Sequence, residues 1–304
     1  MHTLTSISEL ASVPGPITLA IGVFDGVHLG HQAVLHRALS DAKASGGTAV
    51  ALTFDPHPAR ILRPEAAPRL LTSMPHKLRL MRDLGLSHLL VQKFDREFAA
   101  SEPAHFLQSL TEACRPLRQI VVGHQWAFGR GRSGNIEIIR EFGRTAGFQA
   151  VELDPVEVEG SIVSSTRIRK AIEEGDFAEA RKCLGREFTI LGTVTKGRQI
   201  GRTIGFPTAN LRAHNEQFPP DGVYAVEVHR SGDILRGVAN IGVRPTLENQ
   251  GERVLEVHLL DFTGDLYDED VEVSFSRFIR PERRFAGLDE LKAQIEQDVA
   301  AARG

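Results

Sequence analysis

The chain has 304 residues, 41% hydrophobic and 25% charged, with a formal net charge of −3. That length suits two domains with sizeable cores, and the charge balance excludes a global basic field for nucleic acid or anionic membrane. Two cysteines, a start ("MHTLTSISEL") without signal-peptide regions, and no apolar run near the roughly 20 residues of a bilayer span predict a soluble, reduced, cytoplasmic protein.

The first part alternates strand and helix signals. "ITLAIGVF" (17–24) predicts a buried strand, and Val34, Leu35, Ala38, Leu39 and Ala42 recur at helical spacing until "GG" at 46–47. "TAVALTF" (48–54) is the next strand, which makes a βαβ unit and predicts a parallel sheet of Rossmann-like α/β type. Helices follow at 75–84 and 103–113, and "QIVVG" (119–123) is a later buried strand. Beyond about residue 185 the pattern changes to alternating, β-branched runs at 188–195, 222–230, 235–242, 254–262 and 271–279. Strands without intervening helices predict an antiparallel barrel, closed by one amphipathic helix carrying Leu288, Leu291, Ile295 and Val299. A boundary near "KCLGREF" (182–188) divides the chain into 1–185 and 186–304. Nothing in the sequence specifies an oligomeric state.

The stretch "IGVFDGVHLGH" (21–31) joins the first strand to the first helix. Gly26 and Gly30 permit close backbone approach, and a helix N-terminus offers N–H groups and a positive dipole end to an anion. His28 and His31, three apart, can present two imidazoles to one side. A plain glycine-rich turn or half of a metal site are the alternatives, although no H-E-x-x-H or Cys/His cluster completes a metal set. "TFDPHP" (53–58), with Asp55 and His57, falls where an open α/β sheet binds ligands. "VVGHQWAFGRGRSGN" (121–135) places Gly123, Gln125 and Trp126 after another strand. In "SSTRIRKAI" (164–172), Ser164, Ser165 and Thr166 precede a helix carrying Arg169, which makes a second anion site or simply an N-cap beside a solvated basic face.

In the second part, "GTVTKGRQIGRTIGFPTANL" (192–211) combines Gly197, Gly201 and Gly205 with Thr208 and Asn210. Residues two apart on an extended segment share a face, and their neutral oxygens suit Mg²⁺ held jointly with nucleotide phosphates. A capped barrel turn is the simpler reading. Glu256, alternating with Val257 and Leu259, reads alone as an outward-facing strand residue.

Two resemblances add to this. The 21–31 stretch resembles the G-x-F-D-G-x-H-x-G-H signature of the nucleotidyltransferase superfamily, which implies ATP-phosphate binding by Gly22, Phe24, Asp25, Gly26, His28, Gly30 and His31. The 192–211 stretch resembles the riboflavin kinase signature G-R-x-x-G-F-P-T-A-N, carried here by Gly201, Arg202, Gly205, Pro207, Thr208 and Asn210. It continues through 222–228, 237–246, 255–262 and 278–285. The whole chain is thus similar to the bacterial bifunctional riboflavin kinase/FAD synthetase family. That resemblance implies an α/β nucleotidyltransferase domain followed by an antiparallel β-barrel riboflavin kinase domain with a C-terminal helix. It implies phosphorylation of riboflavin to FMN in the second domain and adenylation of FMN to FAD, with release of pyrophosphate, in the first. ATP is the implied co-substrate. Thr208 and Asn210 would hold Mg²⁺, Glu256 would act as base, and His28, His31 and Arg169 would neutralise phosphate charge. The sequence departs from the family at His124-Gln125-Trp126, where an acidic residue, Asp or Asn, and Phe are usual. It also has Asn135 where Asp is common and Asp268 where Gly is common.

The departures at 124–126 keep a rival reading, a monofunctional riboflavin kinase with a degenerate or regulatory nucleotide-binding first domain. A nucleotide- or flavin-sensing regulator is a second. "RGRSG" (130–134) lacks the aromatic interleaving of a nucleic-acid contact, and the absence of any Gly-Lys dipeptide excludes a P-loop NTPase.

Overall fold

The computed structural model describes residues 1–197, 201, 204–230, 232–244 and 252–304, without the side chains of Arg244 and Glu252. Two compact units emerge. The first comprises Met1–Arg69 and Met74–Ser165, the second Leu70–Ser73 and Thr166–Gly304.

In chain order the first unit contains β1 (His2–Leu4), β2 (Ile17–Ile21), α1 (Leu29–Ala44), β3 (Thr48–Asp55), α2 (Pro58–Leu62), α3 (Met74–Asp83), β4 (His88–Lys93), α4 (Arg96–Ala99), α5 (Pro103–Ala113), β5 (Leu117–Gly123), α6 (Ile136–Ala146) and β6 (Gln149–Leu153). A small hairpin of β7 (Glu157–Val158) and β8 (Ser161–Ile162) leads to α7 (Ser165–Glu174). The sheet is parallel throughout, in the order β1-β4-β3-β2-β5-β6. All five residues of β2 are buried, as a strand covered on both faces requires. Leu19 and Ile21 point to one core with Leu52, Ile120, Phe106 and Leu110, whereas Ala20 points to the other with Ala51, Leu35 and Ala38. The small residues on the second face let α1 pack close to the sheet.

The expected strand over 17–24 ends at Ile21, because the next residues leave extended geometry: Phe24, Gly26 and Val27 have φ of 53°, 84° and 43°. The chain then crosses through α1 to β3 on one side of β2, while β5 lies on the other. The carboxyl ends of β2 and β5 therefore form a topological switch point, the place where open α/β sheets bind ligands.

In the second unit, α7 and α8 (Phe177–Leu184) precede a closed antiparallel barrel. Its strands are β9 (Thr189–Thr195), β10 (Ala209–Ala213), β11 (Gly222–Arg230), β12 (Asp233–Arg244), β13 (Glu252–Leu259) and β14 (Asp270–Arg280), ordered β10-β13-β12-β11-β14-β9. Five of these follow from the alternating pattern. The sixth, β10, lies inside the Pro-Thr-Ala-Asn segment, where proline and small residues hide the alternation. Leu70–Ser73 joins this unit through its backbone. Asn215 Nδ2 donates to the Leu71 carbonyl (2.5 Å), Leu70 N–H donates to Glu216 Oε2 (3.1 Å), and the Gln217 N–H donates to the Leu70 carbonyl (3.0 Å).

Helix α9 (Leu288–Arg303) covers one face of the barrel with Leu291 and Ile295, whereas Leu288, at its first position, stays 56% exposed. Asp298 is its buried residue, and it receives a two-point contact from Arg280, Nε to Oδ1 at 2.9 Å and an Nη to Oδ2 at 2.7 Å. Gln294 Nε2 adds a third bond to Oδ1 (3.0 Å). No helix among the described residues is long and apolar enough to cross a membrane.

Removing one partner of a buried, hydrogen-bonded ion pair leaves a charge without compensation and costs about 3 kcal/mol or more. Asp298→Ala is expected to lower the stability of the barrel unit by that amount in urea unfolding followed by far-UV circular dichroism. Trp126, the only tryptophan and a residue of the first unit, should report an unmoved transition in fluorescence.

Candidate functional site

The first site grows from the β2–α1 turn. A side chain on Gly22 would come within 2.9 Å of the Phe24 ring, so glycine is what lets Phe24 fold back and bury. The turn's carbonyls are tied by side chains from elsewhere. Lys77 Nζ (2.7 Å) and Thr53 Oγ1 (3.0 Å) donate to Val23, Ser165 Oγ donates to Asp25 (2.9 Å), and Gln32 Nε2 donates to Val27 (2.9 Å). His28 then caps α1, its Nδ1 accepting from the His31 N–H at 3.3 Å.

The two imidazoles stack at 3.6 Å between centroids, and the Phe24 ring meets His31 edge-on at 5.4 Å. A Cβ on Gly30 would lie 3.1 Å from His28 Cε1. The spacing H-x-G-H therefore has a steric basis, since the His28 ring lies over the glycine to reach His31. His31 Nδ1 is buried with no hydrogen-bond partner among the described residues. Burial, the adjacent His28 and the Lys77 ammonium hold the His31 imidazole well below its usual pKa, so it is neutral at pH 7. A neutral ring with an unsatisfied buried nitrogen is suited to hydrogen-bond a ligand oxygen.

Around this pair, Asp25 is buried, and Asp55 is exposed at the end of β3. His57 caps α2 by accepting from the Ala59 N–H (3.1 Å). Gly123 ends β5. Gln125 follows in left-handed geometry (φ 56°), its N–H donating to Glu152 Oε1 at 2.9 Å. Trp126 is half-buried and stacks on Phe128 at 4.8 Å, extending an aromatic run through Phe106 and Phe98. Asn135, where the resemblance leads one to expect Asp, caps α6 through the Ile138 N–H (3.1 Å). Ser164 and Ser165 close this unit. Thr166 and Arg169 continue along α7 in the second.

The barrel carries the second site, a cavity of about 320 Å³ between its wall and α9. Asn210, Glu256 and Asn240 are register partners on β10, β13 and β12, so they form one row across three strands. Glu256 and His258 are half-buried and line the cavity, while Leu255, Val257 and Leu259, which alternate with them, are buried. Thr208, just before β10, faces the same cavity. His258 Nδ1 donates to the Pro207 carbonyl at 2.8 Å and fixes this segment against β13.

The glycines make the cradle. A Cβ on Gly197 would fall 2.2 Å from the Asn210 amide, and one on Gly201 would fall 2.2 Å from the Phe206 carbonyl and 3.5 Å from Thr208 Oγ1. Gly205 turns through φ 89°. Arg202 lies outside the described residues. Among the described residues no group of three or more His, Cys, Asp and Glu is placed to hold a metal. The hard neutral oxygens of Thr208 and Asn210 beside the Glu256 carboxylate fit a divalent ion that takes its remaining ligands from phosphate and water. Asp268, with φ 64°, shows why glycine would be favoured there and why a small polar residue is tolerated.

Comparisons with known proteins match both parts of the chain. Residues 11–167 match the family model described as FAD synthetase and residues 184–304 the one described as riboflavin kinase. The bifunctional riboflavin kinase/FMN adenylyltransferase of Escherichia coli K12 is 39% identical over 305 aligned residues, covering 100% of this chain and 97% of that protein. The chain belongs to this bifunctional family. The Pseudomonas fluorescens protein of the same description is 39% identical over 93% of this chain and 91% of its own. A solved structure from Streptococcus pneumoniae, described as a macrolide-efflux protein, is 29% identical and superimposes with a TM-score of 0.83 over 100% of this chain and 99% of that one.

Sequence reasoning missed several groups that the fold brings in. His258 was legible as the second outward residue after Glu256, and Asn240 as a polar break in an apolar strand. Glu282, packed where a Gly242 side chain would sit and 3.5 Å from Asn240 Nδ2, lies beyond the last strand and carries no local signal. Lys77 sits in an ordinary helical pattern with nothing to mark it.

A neutral buried histidine has a consequence for stability. The unfolded chain takes up a proton near pH 6.5 that folded His31 refuses, so stability is complete above that pH and declines as the pH falls below it. Urea midpoints followed by Trp126 fluorescence should fall between pH 6.5 and 5 in the wild type, and the fall should be shallower in His31→Gln.

Proposed function

We propose that the chain carries out both reactions of its family, phosphorylating riboflavin to FMN in the barrel unit and adenylating FMN to FAD in the α/β unit, with ATP as co-substrate in each. One observation carries this reading: a complete stacked H-x-G-H pair at a sheet switch point, and a barrel cavity lined by Thr208 and Glu256 with Asn210 in register beside Glu256, occur in one chain that matches both family models. We assign residues 1–185 to the adenylyl half and 186–304 to the kinase half, which the matched segments support. The monofunctional alternative is disfavoured, because the first unit keeps its phosphate-binding turn intact. Both cysteines are free and buried, which supports a reduced, cytoplasmic setting.

In the kinase step the 5′-hydroxyl of the ribityl chain attacks the γ-phosphorus of ATP, and ADP leaves. Glu256, in the cavity wall, takes the hydroxyl proton. Thr208 and Asn210 would hold Mg²⁺ together with the phosphates, which supplies neutralisation of triphosphate charge. Gly197, Gly201 and Gly205 let the backbone approach the nucleotide, Arg202 adds positive charge, and Pro207 is held in place by His258. The apolar Val223, Val238, Leu291 and Ile295 suit the isoalloxazine ring.

In the adenylyl step a phosphate oxygen of FMN attacks the α-phosphorus of ATP. The bond to the β-phosphate breaks and pyrophosphate departs. The attacking phosphate is already anionic, so no base is needed. His28 and His31 hydrogen-bond phosphate oxygens from the start of α1, with Gly26 and Gly30 giving access. Ser164, Ser165, Thr166 and Arg169 form the second anion-binding set at the start of α7. Gln125 and Trp126 serve the flavin end, one through its amide and the other through its ring face. Asp25, Asp55 and His57 flank the nucleotide.

Purified full-length protein incubated with riboflavin, ATP and Mg²⁺, with flavins separated by HPLC, should give FMN and then FAD. Glu256→Gln should slow FMN formation by roughly 10²–10⁴-fold yet still convert supplied FMN to FAD. His28→Ala should reverse that pattern. FMN without FAD from the wild type would return the first unit to a regulatory role.

A further inference from the structure

A lysine is almost never fully buried unless it is paired, because removing its charge from water is costly. Lys77, on α3, is only 5% exposed. Its Nζ lies 2.7 Å from the Val23 carbonyl and 3.3 Å from Thr53 Oγ1, and Thr53 Oγ1 lies 3.0 Å from the same carbonyl. Three elements, α3, β3 and the β2–α1 turn, therefore meet at one oxygen. The next residue, Phe24, is the first to turn left-handed, and β-branched Val27 follows with φ 43°. Such backbone persists only where its surroundings hold it. The Val23 carbonyl is tied by a charged side chain. The charged and titratable groups facing Lys77 are Asp25 from the turn, Asp55 from the end of β3 and His31 from α1.

We infer that Lys77 is a positioning residue for adenylyl transfer. Its ammonium fixes the Val23 carbonyl, and through it the turn that sets the His28 and His31 rings, while placing positive charge behind the phosphate-binding face. The inference rests on the adenylyl reading of the first unit. Lys77 touches no reacting atom; it acts through the turn. A misplacement of about 1 Å in such a turn can cost on the order of 10² in rate.

The same ammonium is proton-linked. Burial lowers its pKa from 10.5 to about 8, against the opposing pull of Asp25 and Asp55. Above that pH the folded chain has lost a proton that the unfolded chain keeps until about 10.5, so this group adds stability as the pH rises through the interval. Activity that depends on the ammonium moves the other way, which separates a positioning role from a purely structural one.

The test uses the full-length wild type, Lys77→Met and Lys77→Gln, assayed for conversion of supplied FMN to FAD and, in the same preparations, for riboflavin phosphorylation. Lys77→Met is expected to lower adenylylation kcat roughly 10²-fold, and Lys77→Gln, which keeps an N–H donor for Val23, to recover part of it. Phosphorylation should stay within about twofold in both, which shows that the barrel unit is folded, and a cooperative urea transition in Trp126 fluorescence shows that the first unit is folded as well. Adenylylation kcat/KM should fall above about pH 8 in the wild type and lose that limb in both variants. Unchanged kcat in Lys77→Met, a parallel loss of both activities, or a pH limb that survives the substitutions would overturn the inference. A wild type that makes no FAD from FMN overturns the adenylyl reading itself, and the inference with it.

Discussion

The first unit is organised around a turn that backbone sterics disfavour. Between the end of β2 and the start of α1, Phe24, Gly26 and Val27 adopt left-handed backbone, and only one of them is glycine. Each non-glycine residue there costs about 1–3 kcal/mol. The surrounding structure holds it by binding the carbonyls of Val23, Asp25 and Val27 with side chains from α3, β3, α7 and α1. Those bonds turn a strained loop into a fixed one, and a fixed loop can present two stacked imidazoles at a helix N-terminus. The parallel sheet places this turn at its switch point, and the glycines at 22 and 30 clear the space that the Phe24 and His28 rings occupy.

The barrel solves a similar problem by strand register. Antiparallel pairing puts Asn210, Glu256 and Asn240 in one row without requiring any of the three to be strained. What completes the site is not strand geometry but the cover. Helix α9 contributes the apolar Leu291 and Ile295 and is clamped by Arg280 onto Asp298. The cover is thus attached through the same segment, 280–285, that supplies Glu282 and Arg283 to the cavity.

Much of this was legible because it depends on local rules. The βαβ alternation, the H-x-G-H turn and the apolar periodicity of barrel strands all declare themselves within a dozen residues. The P-T-A-N segment announced chemistry but concealed a strand, since its proline and small residues carry no period-two pattern. Leu288 was expected to face the barrel by spacing alone, yet the helix begins before it reaches the wall, and a paired aspartate occupies the buried position instead. Lys77 and Glu282 were invisible for a different reason. Their meaning lies in partners 54 and 42 residues away, at Val23 and Asn240, and no window of sequence contains both ends of such an interaction.

The short segment Leu70–Ser73 alters what it means for this chain to have two parts. It belongs by packing to the barrel unit, held by Asn215, Glu216 and Gln217, yet it is flanked on both sides by residues of the α/β unit. The polypeptide therefore passes from one unit to the other three times, not once. A single cleavage near residue 185 would part Leu71, 2% exposed, from Asn215, which donates to its carbonyl, and would leave α7 and α8 on a different chain from the barrel strands of their unit. Burial of one such leucine stabilises by about 1.5–3 kcal/mol. The residues of the two units are thus interleaved in sequence, so no single cut sorts them cleanly into two chains.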